Sequence, residues 1–132
     1  MKKINSLITD LESTDPKIRN EAAITLMDLG DSRAILPIIK AIKNPNNINY
    51  RGTSVYALSE FDMSEHVALL TSLVITGNYE VAAGSYQILD DIELNKMQKE
   101  QIRNQLSKIN LTALAEEHNR DGYQYLEELL EC

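Results

Sequence analysis

The sequence is poor in the residues that build several common classes of protein. Its only cysteine, Cys132, is the last of 132 residues, so the chain has neither an intramolecular disulfide nor a multi-thiolate metal site. Tryptophan is absent and phenylalanine occurs once. Five glycines and three prolines are too few for the frequent turns of a β-sandwich or barrel. Helix is therefore the expected secondary structure.

Long hydrophobic runs and an excess of positive charge are missing too. No run of about twenty apolar residues is present, which argues against a transmembrane helix. Polar residues interrupt the segment after Met1-Lys2-Lys3 before it could serve as a secretion signal. With 20 acidic and 13 basic residues the formal charge is −7, which disfavours nucleic acid and anionic membranes as partners. We predict a cytoplasmic protein that is a monomer in isolation.

The sequence aligned with itself shows a repeat with a period of 31 to 32 residues. In each copy a capping residue comes first, a small residue follows seven positions later, and apolar residues follow at eleven and fourteen. The capping residues are Asp15, Asn47 and Asn78, and the small residues are Ala22, Ser54 and Ser85. A second apolar stripe with the spacing of one helical face also recurs. It consists of Ile35, Ile38, Ile39 and Ile42, copied by Val67, Leu70, Thr71 and Val74.

Paired helices at this period resemble HEAT repeats, in particular the short HEAT-like repeats also found in phycobilin lyase proteins. The Asp15-Pro16 start, Arg19 three residues later and the Leu29-Gly30 stop carry the resemblance. It implies an all-α fold, an α-solenoid of stacked antiparallel helix pairs with about three to four units. The expected single domain, 1–132, has repeats at about 15–46, 47–77 and 78–109 and an N-terminal half unit at 3–12. Arg19 and Arg51 are expected to bridge adjacent repeats.

The last stretch, 110–132, departs from the repeat and is expected to form a C-terminal cap. Leu111, Leu114 and Ala115 share one helical stripe, and the polar run at 118–122, which ends in a glycine, predicts a break. A short capping helix is then expected from Tyr123 to Leu130. Such a helix would cover the apolar end of the last repeat.

Residues for catalysis or cofactor binding do not form recognisable motifs. The two histidines, His66 and His118, are far apart in sequence, and the glycines are dispersed. The acidic doublets are adjacent residues, which point about 100° apart on a helix. Bilin attachment would need a tetrapyrrole pocket and a catalytic group that the sequence does not show. We therefore predict no enzymatic activity, no cofactor and no metal site.

The most informative functional feature is a stretch without positive charge. No Lys or Arg occurs between Arg51 and Lys96, whereas acids are frequent there and tyrosines lie among them. Acids steer a basic protein to its site, and tyrosine anchors it at low entropic cost. The predicted partner-binding residues are Glu60, Asp62, Glu65, Tyr79, Glu80, Asp90, Asp91 and Glu93. The alternative is that Tyr56 and Tyr86 belong to the core and the acids merely solvate helix ends.

Three classes of function fit these features. The leading hypothesis is a non-enzymatic protein-binding module, most concretely an immunity-type inhibitor that neutralises a basic toxin such as a nuclease. The second is an adaptor or assembly factor that binds its partner through the concave face formed by the second helix of each repeat. Exposed residues of those helices, such as Arg33 or Lys40, would then contact the partner. The third is a lyase-like HEAT protein or a HEAT-fold glycosylase, of which the glycosylase would need a basic concavity. Tyr123 and Tyr125 form a second, weaker candidate for partner binding.

Overall fold

The computed structural model describes residues 3–131, so Cys132 and the first two residues lie outside the described residues. Between 3 and 131 the structure has eight α-helices and no β-strand, which confirms the all-α prediction. The helices are α1 (Ile4–Asp10), α2 (Pro16–Leu29), α3 (Ile35–Lys43), α4 (Gly52–Leu58), α5 (Val67–Thr76), α6 (Tyr79–Asp91), α7 (Lys96–Ser107) and α8 (Glu117–Leu130). Two compact units contain them, Met1–Asp62 and Met63–Cys132, called here the N-terminal and C-terminal units.

The ends of α2 follow directly from the local sequence. The Asp15 carboxylate accepts a hydrogen bond from the Lys17 backbone N–H at 2.9 Å, and Pro16 occupies the first turn, where its missing N–H costs nothing. Gly30 ends the helix with φ of 64° and donates its N–H to the carbonyls of Leu26 and Met27. The predicted start and stop of this helix are confirmed.

In the N-terminal unit α2 packs against α1 and α4, and α3 packs against α4. The small residues Ala22 and Ser54, one on each of α2 and α4, are both buried, as close packing of two helices requires. Around them lie the buried apolar side chains Leu7, Leu11, Leu26, Ile38, Ile42, Val55 and Leu58. The helix α3 begins at Ile35, so Pro37 lies in its first turn, where proline is tolerated.

Arg19 and Arg51 hold the chain just before their own helices. Arg19 is buried and donates to the carbonyl of Ser13 at 2.8 Å, while Arg51 donates to the carbonyl of Ile48 at 3.2 Å. Partial burial lowers the pKa of Arg51. Each hydrogen bond joins an arginine to the chain directly before its own helix and not to another repeat. The expectation that the two arginines bridge adjacent repeats is therefore wrong.

In the C-terminal unit α5 is the central helix, with α6, α7 and α8 packed against it. All four residues of its predicted apolar stripe, Val67, Leu70, Thr71 and Val74, are buried. Leu73 and Ile75, on other sides of the helix, are buried as well. Two glutamines of α7 reach its backbone, since Gln98 donates to the carbonyl of Ser64 at 2.7 Å and Gln105 donates to that of Ala68 at 2.9 Å. The helix is thus surrounded, which explains why it carries no charged residue.

The C-terminal segment differs from the expectation. Helix α8 runs without interruption from Glu117 to Leu130, so the predicted break at 118–122 is wrong. The residues expected to share a helical stripe before it form only a 3₁₀ turn, Leu111–Ala113, followed by extended chain. Gly122 lies in the middle of α8 because α8 approaches α5 closely there. A Cβ atom on Gly122 would lie 2.6 Å from Cγ1 of Val74.

Candidate functional site

The structure places all eight predicted partner-binding residues on the surface. The side chains of Glu60, Asp62, Glu65, Glu80, Asp90, Asp91 and Glu93 are exposed, and Tyr79 is 71% exposed. Tyr56 is also exposed, at 59%, and Tyr86 is half-buried. The interpretation as a core residue is therefore wrong for Tyr56, whereas Tyr86 is partly buried.

The eight residues do not form a single cluster. Glu60 and Asp62 follow α4 in the N-terminal unit, and the other six belong to the C-terminal unit. There α5 and α6 pack together and are joined only by residues 77–78, so they form an antiparallel hairpin. One end of this hairpin carries Glu65, Asp90, Asp91 and Glu93, and the other end carries Tyr79 and Glu80. The 13 residues of α6 separate the two ends by roughly 18 Å.

The positions of the acids along their helices distinguish a structural role from a binding role. Glu80 lies in the first turn of α6, where negative charge favours the helix dipole, and Glu65 lies in the 3₁₀ turn that leads directly into α5. Glu93 stands outside the first turn of α7, which carries no acid. Asp90 and Asp91 are the last two residues of α6, where negative charge opposes the dipole by about 0.3 to 1 kcal/mol per charge. Helix stability therefore accounts for Glu65 and Glu80 and not for Glu93 or the aspartate pair.

A groove of about 540 Å³ lies between α6 and α8 in the same unit. Two aromatic pairs bridge the helices. The rings of Tyr79 and His118 meet edge to face with centroids 6.0 Å apart, and those of Tyr86 and Tyr125 meet at 5.6 Å with a tilt of 50°. Both pairs are offset by seven residues on each helix, so the helices run in the same direction and the pairs stand about 10.5 Å apart.

Small residues and one carboxylate line the space between the aromatic pairs. Ala82 and Ala83 of α6 and Gly122 of α8 also line the groove, so no large side chain fills it. Asp121 contributes the one acidic side chain of the lining, and no Lys or Arg is part of it. The groove thus has an aromatic pair at each end, small residues between the pairs and one negatively charged side chain in its lining.

Polar contacts to the end of α5 fix the position of α8, and thereby one wall of the groove. The buried Asn119 amide donates to the carbonyls of Val74 and Gly77, at 3.0 Å in each case, and Nε2 of His118 lies 3.0 Å from the same Gly77 carbonyl. Carbonyls in the last turn of a helix have no partner within the helix, and these side chains supply it. The His118 ring is thereby held against Tyr79.

Sequence reasoning found only part of this groove. The sequence predicts Tyr79 as a partner-binding residue and Tyr125 only as a weaker candidate. It assigns no function to His118 and predicts a break around Gly122. A usable signal was present, because aromatic residues recur seven apart with small residues between them on both helices. The other tyrosine of the weaker candidate, Tyr123, points elsewhere and bonds the carbonyl of Leu106 at 3.3 Å.

Among residues 3–131, no group of three or more His, Cys, Asp or Glu side chains is arranged to hold a metal ion. None of the helices in this range is both long and apolar enough to cross a membrane.

The helix pairs, the buried small residues and the absence of strands in the described chain define a helical repeat scaffold. The sequence profile of HEAT repeats matches residues 4–91, which is more than half of the chain, and the protein therefore belongs to the HEAT-repeat family. This is a family of scaffolds for protein interaction. Neither a curated protein nor a solved structure matches the chain significantly. The match ends at the last residue of α6, so α7 and α8 lie beyond the matched repeats.

Proposed function

We propose that this HEAT-repeat protein is a non-enzymatic module that binds a basic protein through its acidic surface. In its most concrete form it is an immunity-type inhibitor, which neutralises a basic toxin such as a nuclease by covering the toxin's active site. The supporting observation is the stretch between Arg51 and Lys96, which lacks positive charge and whose seven acids are all exposed.

The aspartate pair at the end of α6 is the strongest single support. Asp90 and Asp91 are exposed and oppose the dipole of their own helix. A partner with positive charge at this end would turn that unfavourable placement into an attraction. Complementary charge of this kind raises association rates by about 10- to 1,000-fold and falls steeply with salt.

The first experiment is capture of partners on the tagged protein from native cell extract at roughly 50 mM and about 500 mM salt. The dissociation constant of the identified partner is then measured with purified proteins. We expect the double variant Asp90→Lys/Asp91→Lys to weaken binding at least about tenfold at low salt, and the difference to shrink at high salt. Lysine at a helix C-terminus favours the dipole, so the variant should remain folded.

The matched control is Glu21→Lys/Asp28→Lys, which makes the same change in net charge on exposed positions of α2. It should leave binding nearly unchanged. If both variants lose affinity equally, the effect comes from net charge and not from this site. If neither variant loses affinity, the acidic binding surface is refuted.

The inhibitor form has its own test, because an inhibitor must stop the activity of its partner at equimolar concentration. A partner that binds but keeps its nuclease or other toxic activity would refute the immunity role while leaving protein binding intact.

An adaptor that uses the second helices is the alternative, and one feature of α3 favours it. Leu36 is 68% exposed there, beside the exposed side chains of Arg33 and Lys40. This hypothesis predicts loss of binding on Leu36→Glu or Lys40→Glu and no effect of the Asp90→Lys/Asp91→Lys variant.

A further inference from the structure

We propose that the groove between α6 and α8 is a binding site for an arginine side chain of a protein partner. This inference rests on the proposed function in taking the partner to be a basic protein, and it adds the kind of side chain that anchors the partner and the place where it binds. The residues that carry it are the two aromatic pairs, Tyr79 with His118 and Tyr86 with Tyr125, together with Asp121.

The shape of the groove fits a long, thin side chain. Ala82, Ala83 and Gly122 leave the space between the aromatic pairs open, and the two pairs stand about 10.5 Å apart along the helices because of the seven-residue offset. The volume of about 540 Å³ is that of an ordinary ligand pocket, enough for one side chain and the adjoining backbone. The aliphatic part of arginine would pack on the alanines.

The chemistry of the lining selects a planar cation. A guanidinium group stacks on aromatic rings and also donates two parallel hydrogen bonds to a carboxylate. The groove offers tyrosine rings for the first interaction and Asp121 for the second. Within residues 3–131 the structure gives the Asp121 side chain no hydrogen bond or ion pair, so its oxygens are available. An anionic ligand would be repelled by this carboxylate, and a purely apolar one would leave it without a partner.

The test is a titration of the full-length protein followed by two-dimensional NMR of its backbone amides. The probe is the capped tripeptide Gly-Arg-Gly, and the matched probes are the same peptide with citrulline, which is neutral and nearly the same shape, and with lysine. We expect the arginine peptide to shift the amides of Gln87, Asp121 and Gly122 in a saturable way. The citrulline and lysine peptides should bind at least about tenfold more weakly.

Two variants and one control locate the site. Asp121→Asn keeps the shape of the side chain and removes its charge. Ala83→Leu fills the groove with a larger side chain at an exposed position of α6. Each should weaken binding of the arginine peptide about tenfold or more. Gln124→Leu makes an equally large change on an exposed position of α8 outside the groove and should not alter binding. Equal binding of the three peptides, or unchanged binding to Asp121→Asn, would overturn the assignment.

The same variants separate this inference from the proposed function. If Asp121→Asn leaves the affinity for the natural partner unchanged while Asp90→Lys/Asp91→Lys lowers it, the arginine site is overturned and the acidic binding surface stands. If the arginine peptide binds in the groove but the natural partner is not basic, the proposed function fails and the arginine site stands.

Discussion

A single methyl group added at Gly122 tests how α8 is docked. Its Cβ would lie 2.6 Å from Cγ1 of Val74, a side chain that is completely buried in α5, and 3.3 Å from the Val74 carbonyl oxygen. Because valine is branched at Cβ, it cannot turn this methyl group away without moving the other into its neighbours. The change Gly122→Ala therefore forces α8 away from α5 or distorts the packing around Val74.

The expected magnitude is the difference between two opposing effects. Alanine stabilises the interior of a helix by about 1 kcal/mol relative to glycine, whereas overpacking a buried contact costs about 1 to 3 kcal/mol. The Gly122→Ala variant should thus lose between about 0 and 2 kcal/mol of unfolding free energy. Val74→Ala alone should lose about 2 to 3 kcal/mol through lost burial and the cavity it leaves.

The double variant isolates the contact. Once Val74→Ala has removed Cγ1, the nearest remaining atom is the backbone carbonyl oxygen of the same residue at 3.3 Å, which a shift of a few tenths of an ångström relieves. The gain in helix propensity then outweighs the remaining contact. Gly122→Ala should then stabilise the protein by up to about 1 kcal/mol, which makes the coupling energy about 1 to 3 kcal/mol. The assay is urea unfolding of the four proteins followed by circular dichroism. A Gly122→Ala variant that is about 1 kcal/mol more stable than the parent, with no coupling to Val74, would refute the close approach of α8 to α5.

Three further predictions test other parts of the fold. Asp31 has a pKa lowered from 3.8 to about 2 by its hydrogen bonds with Arg33, so the contribution of this pair to stability is present above pH 3.8 and is lost as the pH falls through 2. An NMR titration should find this pKa, and Arg33→Ala should raise it. Gly30→Ala should lose roughly 1 to 2 kcal/mol in urea unfolding and Gly30→Asn less, because φ is 64° although no atom lies within 4 Å of the added Cβ. Asn119→Leu should lose about 1 to 3 kcal/mol in the same assay, since it leaves the carbonyl of Val74 in α5 without this donor, and a loss under about 0.5 kcal/mol would contradict this role.

The repeat region could be predicted from the sequence because its signals are local. A capping aspartate, a proline in the first turn and a glycine with positive φ each act on the few residues beside them, so Asp15, Pro16 and Gly30 mark the ends of α2 in any context. The stripe around Leu70 has the period of one helical face and needs no knowledge of what covers it. The exposure of acids such as Asp91 is predictable on the same local grounds.

The C-terminal helix could not be predicted because its decisive interactions are between residues distant in sequence. The segment around Gly122 has the composition of a loop, and glycine inside a helix costs about 1 kcal/mol relative to alanine. That cost is offset by packing on Val74 and by the hydrogen bonds of Asn119 to the carbonyls at the end of α5. Since half of the groove belongs to α8, a wrong prediction for this helix also concealed the groove.

The arrangement of α6 explains why a partially open groove exists at all. One stripe of this helix, which includes Val81, Ser85 and Leu89, is buried in the unit. A second stripe of Tyr79, Ala82, Ala83 and Tyr86 has the spacing of a buried helical face. The structure covers it only in part, because α8 meets it with a stripe of the same spacing, His118, Asp121, Gly122 and Tyr125, whose aromatic residues touch only at the two ends. A fully buried contact at this place would require large apolar side chains in the middle, where the sequence instead has alanine, glycine and an aspartate. The groove therefore stays open between the two aromatic pairs, as the proposed arginine site requires.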